Sequence, residues 1–211
     1  MDLSRTRLEY ETQGIDAADF APEPIAQFQQ WLAIAVDAEL EEPNAMVVAT
    51  VDDIGQPWSR FVLLKGVGDA GFEFYTNYES NKSRQLDANP KVSLTFGWTA
   101  LRRQVNVAGT ATRVSAKESD AYWAVRPRGS QLGGWSSAQS RTLADRAELL
   151  ERYAETDAAY PDAVPRPPHW GGWRVSPHTV EFWQGRLNRL HDRLRYVAIE
   201  GGGWELERLA P

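Results

Sequence analysis

Cysteine is absent from this 211-residue chain. That excludes disulfides, thiolate metal sites and a cysteine nucleophile, and it fits a cytoplasmic protein. Lysine is scarce: Lys65, Lys82, Lys91 and Lys117 are the only ones among 23 basic residues, so a lysine inside a motif carries weight. The three histidines, His169, His178 and His191, are scattered, with no H-E-x-x-H helix or calcium loop, so no metal is expected. A P-loop and a G-x-S-x-G elbow are also missing. No apolar run approaches the roughly 20 residues of a membrane span, and the polar N-terminus lacks the pattern of a secretion signal. The formal net charge of −6 argues against nucleic acid or an acidic membrane as a general partner.

The remaining composition is that of an ordinary globular domain with a sizeable core. Residues 1–22 are polar and weakly patterned, an arm that either frays or folds over a ligand. Residues 23–211 form the domain proper. Pro24 opens a helix to about Leu40, with Ile25, Phe28, Leu32 and Val36 at helical spacing. Strands are expected over 45–51, 58–65, 72–76, 92–98 and 104–114, and again near Trp173, Val180, Leu194 and Trp204. The glycines of Gly66–Gly71 satisfy G-x-G-x-x-G, but a strand pattern follows where a dinucleotide site needs a helix, so the stretch reads as a hairpin loop. Ser80 caps a short helix, and Ser115 with Glu118 forms a capping box for another reaching about Val125. Residues 126–141 read as loop and short turns, and 143–153 as an amphipathic helix. Strands dominate and consecutive ones look hairpin-connected. The architecture expected is therefore mostly β with peripheral helices, an antiparallel barrel or sheet in a single domain.

Several clusters suit phosphate. Arg60 and Lys65 bracket one strand. Lys82 falls in the first turn of a short helix, where free backbone N–H groups also favour an anion. Tyr122, Arg126 and Ser130 recur every four residues, so one helical face gathers them if the helix runs that far. The stretch 181–193 begins apolar and aromatic, turns at Gly185 and returns rich in cations. As a strand, the return places Arg189, His191 and Arg193 on one face. Such a face is either a solvated basic edge or, with Trp183 nearby, a holder of a flat anionic ligand.

The motifs that carry these clusters are Arg60–Lys65, Phe74–Asn77, Arg103–Val105, Arg126–Trp135, Gln139–Ser140, Trp170–Gly172, Glu181–Gly185, Arg189–Arg193 and the closing Arg208–Pro211. In this order, over nearly the full length, they resemble the FMN-dependent pyridoxine (pyridoxamine) 5′-phosphate oxidases. The resemblance implies a split β-barrel that forms a homodimer with FMN at the subunit interface. It implies flavin contacts at Arg60, Phe61, Val62, Leu63, Leu64, Lys65, Tyr75, Thr76, Asn81, Lys82, Gln104, Gln139, Ser140, Trp183 and Arg193. Substrate contacts fall on Lys65, Tyr122, Arg126 and Ser130 for the phosphate, and on Arg189, Leu190 and His191 at the ring. Arg7 and Tyr10 belong to an arm that covers the site. Arg189 and His191 are the implied catalytic pair, with His191 orienting more than acting as a base. The implied reaction oxidises pyridoxamine or pyridoxine 5′-phosphate to pyridoxal 5′-phosphate, with O2 reduced to H2O2. Two departures stand out: Asn81 where many relatives have arginine, and Arg186-Leu187 where many carry small or acidic residues. The same barrel also serves phenazine-pathway oxidases, deazaflavin-dependent reductases and, conceivably, a carrier that does not turn over.

Overall fold

Alternation of period two builds most of the molecule, as seen in a computed structural model that describes residues 1, 3 and 9–211. Strand β1 (Ala45–Val51) turns Met46, Val48 and Thr50 inward, and β5 (Lys91–Trp98) does the same with Val92, Leu94, Phe96 and Trp98. Between them in sequence come β2 (Pro57–Leu63), a short β3 (Gly66–Gly68) and β4 (Gly71–Asn77). β6 (Arg103–Arg113), β7 (Trp170–Gln184), β8 (Asp192–Ala198) and β9 (Trp204–Leu209) complete one antiparallel sheet. Its main order is β2-β1-β5-β6-β7-β4-β3, with β8 and β9 branching from β7.

The branch decides where the site can form. β7 pairs with β6 on one side from Trp173 to Gln184, while its other side pairs first with β4 (170–175) and then with β8 (179–184). The sheet therefore divides along β7, as a split barrel does. A register shift beside Gly109 lets the long pair bend, and a Cβ on Gly109 would lie 2.4 Å from the Ser176 carbonyl oxygen.

Helix α1 (Pro24–Asp37) closes the curled sheet with Phe28, Trp31 and Ala35 on one stripe. The Phe28 ring meets Phe72 at 4.9 Å and Phe96 at 4.7 Å. A second, smaller core gathers Trp123, Leu132, Val164 and Trp170 beneath α3 (Ala116–Ala124), α4 (Arg128–Ser136) and α5 (Arg146–Ala159). The capping box of α3 is present in both directions, between Ser115 and Glu118.

Three expectations are corrected. Residues 128–136 are helix α4, not loop; Gly129, Gly133 and Gly134 lower its propensity, but tertiary contact overrides it. A Cβ on Gly134 would come within 2.8 Å of the Trp123 ring, so the glycine is what lets α4 approach. Ser80 precedes α2 (Asn81–Ala88) without capping it; its buried hydroxyl instead accepts from Lys82 Nζ at 3.4 Å. Finally, β8 starts only at Asp192, and Arg189 ends a short 3-10 turn with positive φ at Asn188 and Arg189. Arg189, His191 and Arg193 therefore do not share one strand face.

Candidate active site

Four cations gather where β2, β4, α2 and the α3–α4 corner meet. They enclose a cavity of about 590 Å³ lined by Arg60, Phe61, Val62, Leu63, Lys65, Tyr75, Thr76, Asn81, Lys82, Tyr122, Arg126, Gln139 and Ser140, with Trp58 and Ser59 at its rim. Arg60, Lys65, Lys82 and Arg126 thus face one space that, among the described residues, no carboxylate lines, in a chain of net charge −6. None of the four forms an ion pair among the described residues.

Arg60 and Lys82 are held by neutral groups instead. Arg60 Nη1 donates to Thr50 Oγ1 at 2.6 Å and to the Val48 carbonyl at 3.2 Å, while Nη2 reaches Gln85 Oε1 at 3.3 Å. Lys82, buried in the first turn of α2, donates to Thr76 Oγ1 at 3.0 Å and Gln139 Oε1 at 3.1 Å. Burial first, and then the charge of Arg60, push the Lys82 pKa down from 10.5 to about 8. Ser140 adds its hydroxyl, which accepts from the Asn81 backbone N–H at 3.3 Å. Asn81 Oδ1 in turn accepts from Arg84, the arginine nearest to the departure noted at that position.

The opposite side of the cavity is aromatic. Tyr75 and Tyr122 stack at 4.1 Å, with Trp170 parallel to Tyr122 at 6.0 Å. The close approach of β4 to β7 here requires glycine, because a Cβ on Gly172 would lie 2.7 Å from the Tyr75 ring. Arg126 sits on the chain break between α3 and α4, with its guanidinium 4.5 Å from the Trp170 ring and Nη2 bonded to the Ser130 carbonyl at 2.8 Å. Its Nε is buried and has no hydrogen-bond partner among the described residues. Burial lowers the Arg126 pKa, opposed by Tyr122, yet a guanidinium keeps its charge at neutral pH. Ser130 faces an adjoining cavity of about 440 Å³ that shares Tyr75, Thr76, Arg126 and Gln139.

The remaining expected residues lie elsewhere. Gln104, Trp183 and Arg193 are direct cross-strand neighbours on β6, β7 and β8, so they form one row on one sheet face. Arg193 is paired with Glu181 at 2.8 Å, which raises its pKa. The His191 ring lies 4.6 Å from Trp183 and 6.0 Å from Tyr10. Burial, then the charge of Arg189, lower the His191 pKa below its ordinary value. Leu190 is exposed beside it. Leu64 is turned into the core and lines neither cavity, and Arg7 lies outside the described residues. Trp183 follows Gly172 by 11 residues on β7, about 36 Å of strand. The row and the cavity are therefore at opposite ends of β7.

Two contributors escaped the sequence reading, and a third, Trp170, enters it only within a motif and with no role. Thr50 and Gln85 brace Arg60, and Trp170 carries Arg126. Thr50 had a signal, since it is a hydroxyl at an inward position of an otherwise apolar strand.

A family model described as pyridoxamine 5′-phosphate oxidase matches residues 32–160, and one described as the pyridoxine 5′-phosphate oxidase C-terminal dimerisation region matches residues 170–211. Two similar proteins, both named pyridoxine/pyridoxamine 5′-phosphate oxidase, come from Rubrobacter xylanophilus and Synechocystis. The first is 55% identical over 213 residues, covering 100% of this chain and 97% of its own. The second is 51% identical over 212 residues, covering 100% and 99%. A crystal structure of PhzG from Burkholderia lata, in complex with tetrahydrophenazine-1-carboxylic acid, superposes with a TM-score of 0.89 at 33% identity, covering 95% of this chain and 98% of that one. An FMN-binding protein from Nostoc punctiforme shares the fold, with a TM-score of 0.72 at 19% identity, over 87% of this chain and 97% of that one.

Proposed function

This chain belongs to the pyridoxamine 5′-phosphate oxidase family, and on that premise we propose that it oxidises pyridoxamine and pyridoxine 5′-phosphates to pyridoxal 5′-phosphate, using FMN and O2. The observation that carries the reading is the cavity with four cations and no carboxylate. Two separate phosphates, one on the cofactor and one on the substrate, would neutralise it. Its size falls within the roughly 300–1,000 Å³ usual for ligands of this class.

FMN fits the residues present. Arg60, Lys82 and Ser140 offer charge-assisted and hydroxyl contacts to its phosphate, and neither cation has a carboxylate to give up first. When bound, FMN supplies a two-electron acceptor that O2 regenerates with release of H2O2. Lys65, Tyr122, Arg126 and Ser130 anchor the substrate phosphate, and Tyr75 with Tyr122 exclude water from one wall. Fixing the substrate by its phosphate turns binding energy into orientation of the reacting carbon. For the amine the balance is substrate, O2 and water giving aldehyde, ammonia and H2O2; for the alcohol no water is consumed.

Gln104, Trp183, Arg189, His191 and Arg193 join this site only from a second copy. Three features favour a homodimer: the match of residues 170–211 to a dimerisation region, the outer edge of β2, unpaired among the described residues, and Phe61 exposed on it beside the cavity. Each interface would then hold one cavity and one row from opposite subunits. Among the described residues no helix is long and apolar enough to cross a membrane.

The decisive assay is O2-dependent formation of pyridoxal 5′-phosphate and H2O2 from both phosphorylated vitamers by the FMN-loaded protein. Tight flavin binding with no turnover of either would sink the reading and leave a carrier.

Lys82 adds a pH dependence. Its pKa of about 8 means that it is charged below pH 8 and neutral above. A bound phosphate keeps the proton on, so affinity for FMN is expected to stay level up to pH 8 and then fall by up to about tenfold per pH unit. Equilibrium dialysis followed by flavin fluorescence checks this; constant affinity from pH 7 to 10 refutes it.

A further inference from the structure

Arg186 lines neither cavity, yet it is bound on two sides. Its backbone N–H donates to His191 Nδ1 at 3.0 Å, and its Nη1 reaches Asp192 Oδ2 at 3.1 Å. The same carboxylate oxygen accepts the backbone N–H of Ile15 at 3.3 Å. Gly14 packs so tightly there that a Cβ on it would lie 2.0 Å from Arg186 Nη1. Beside this knot the Thr12 hydroxyl donates to the Gly185 carbonyl. The arm so fastened carries Tyr10, whose ring is 6.0 Å from His191 and 6.3 Å from Trp183.

A backbone amide can only donate, so His191 Nδ1 must accept. The neutral imidazole then carries its proton on Nε2 and offers a donor there.

We infer that Arg186 is a positioning residue: its backbone holds His191 as the Nε2–H tautomer, and its side chain, through Asp192, pins the arm that lays Tyr10 against His191 and Trp183. The inference rests on the reading of Tyr10 and His191 as substrate-side groups. His191 in this state suits a hydrogen bond to a substrate oxygen and does not suit removal of a proton by Nε2. The arginine at 186 thereby acquires a task that a small or acidic residue could not perform, because only a cation closes the bridge to Asp192. Arg208 is a second tether, with Nη1 on Asp192 Oδ1 at 3.0 Å and Nη2 on the Ile15 carbonyl at 3.2 Å, so loss of Arg186 loosens the arm without freeing it.

The test uses the full-length FMN-loaded protein. In Arg186→Ala, KM for pyridoxamine 5′-phosphate is expected to rise about fivefold, the scale of one half-exposed ion pair, with kcat and flavin content unchanged. Chymotryptic cleavage after Tyr10, followed by mass spectrometry without substrate, should accelerate by a similar factor. Arg186→Lys should restore both, and Arg186→Ala should add nothing to Asp192→Asn. Unchanged cleavage in Arg186→Ala overturns the arm contact whatever the activity. A parallel loss of flavin or of Tm overturns positioning in favour of a structural role. A ¹⁵N spectrum with the His191 proton on Nδ1 overturns the tautomer. A wild-type protein that does not turn over pyridoxamine 5′-phosphate would instead fail the functional reading, and the cleavage result would stand apart from it.

Discussion

Replacing Arg126 with alanine is expected to lower kcat/KM for pyridoxamine 5′-phosphate by about a hundredfold while FMN remains bound. The estimate follows from losing charge-assisted hydrogen bonds worth about 1.5–3 kcal/mol each. Arg126 is half-buried on the break between α3 and α4, its guanidinium 4.5 Å from the Trp170 ring, with a buried Nε that lacks a partner. Such a donor is one that a phosphate oxygen can satisfy on binding. The variant also loses packing against Trp170 and Trp123, so a bare fall in rate does not identify the cause. The ratio of kcat/KM for pyridoxamine 5′-phosphate to that for pyridoxamine does. If Arg126 binds phosphate, the ratio collapses in the variant; if both substrates lose equally, Arg126 is a packing residue. Arg126→Lys should fall between, because it keeps the charge and loses the planar face that lies on Trp170.

The second large effect concerns the cofactor. Lys82→Met is expected to weaken FMN binding by about a hundredfold, again the scale of a charge-assisted contact to phosphate. The apo protein should nevertheless be no less stable. A lysine whose pKa falls from 10.5 to about 8 carries a penalty of roughly 3 kcal/mol when charged at pH 7, which methionine does not bear. The sign is that of a group disfavoured in its charged form: the penalty is complete below pH 8 and fades as pH rises towards 10.5. Thermal melts with and without FMN separate the two terms. A Tm of the apo variant well below wild type would show that the bonds to Thr76 and Gln139 outweigh the burial cost. An unchanged flavin affinity would remove Lys82 from the phosphate site.

Both predictions draw on residues whose chemistry was legible from their types and spacing. The scarcity of lysine drew attention to Lys65 and Lys82, and the four-residue spacing of Tyr122, Arg126 and Ser130 pointed to one anion. The single helical face expected from that spacing does not form. Helix α3 ends at Ala124 and α4 begins at Arg128, so a corner between two helices puts Tyr122 and Arg126 on one cavity and Arg126 with Ser130 on the adjoining one. The glycines that made 126–141 look like loop are what allow α4 to pack on Trp123. In the 181–193 stretch the cations were visible, but their division was not. Arg193 has Glu181 across the strand, while Arg189 leaves the strand altogether on a 3-10 turn.

The amino-acid sequence alone determined the alternation of the strands, the capping of α3, the ordered motifs and hence the family, because these depend on local pattern and residue identity. Only the tertiary structure decided which cations share a space. Arg60 and Arg126 are 66 positions apart in the chain, and nothing local reports that they line one cavity free of carboxylates. The split along β7, which sends Trp183 and Arg193 to the far end from that cavity, likewise follows from strand pairing and not from pattern. Strand pairing is a contest among many long-range partners of similar local propensity, and it is settled by packing of the whole sheet.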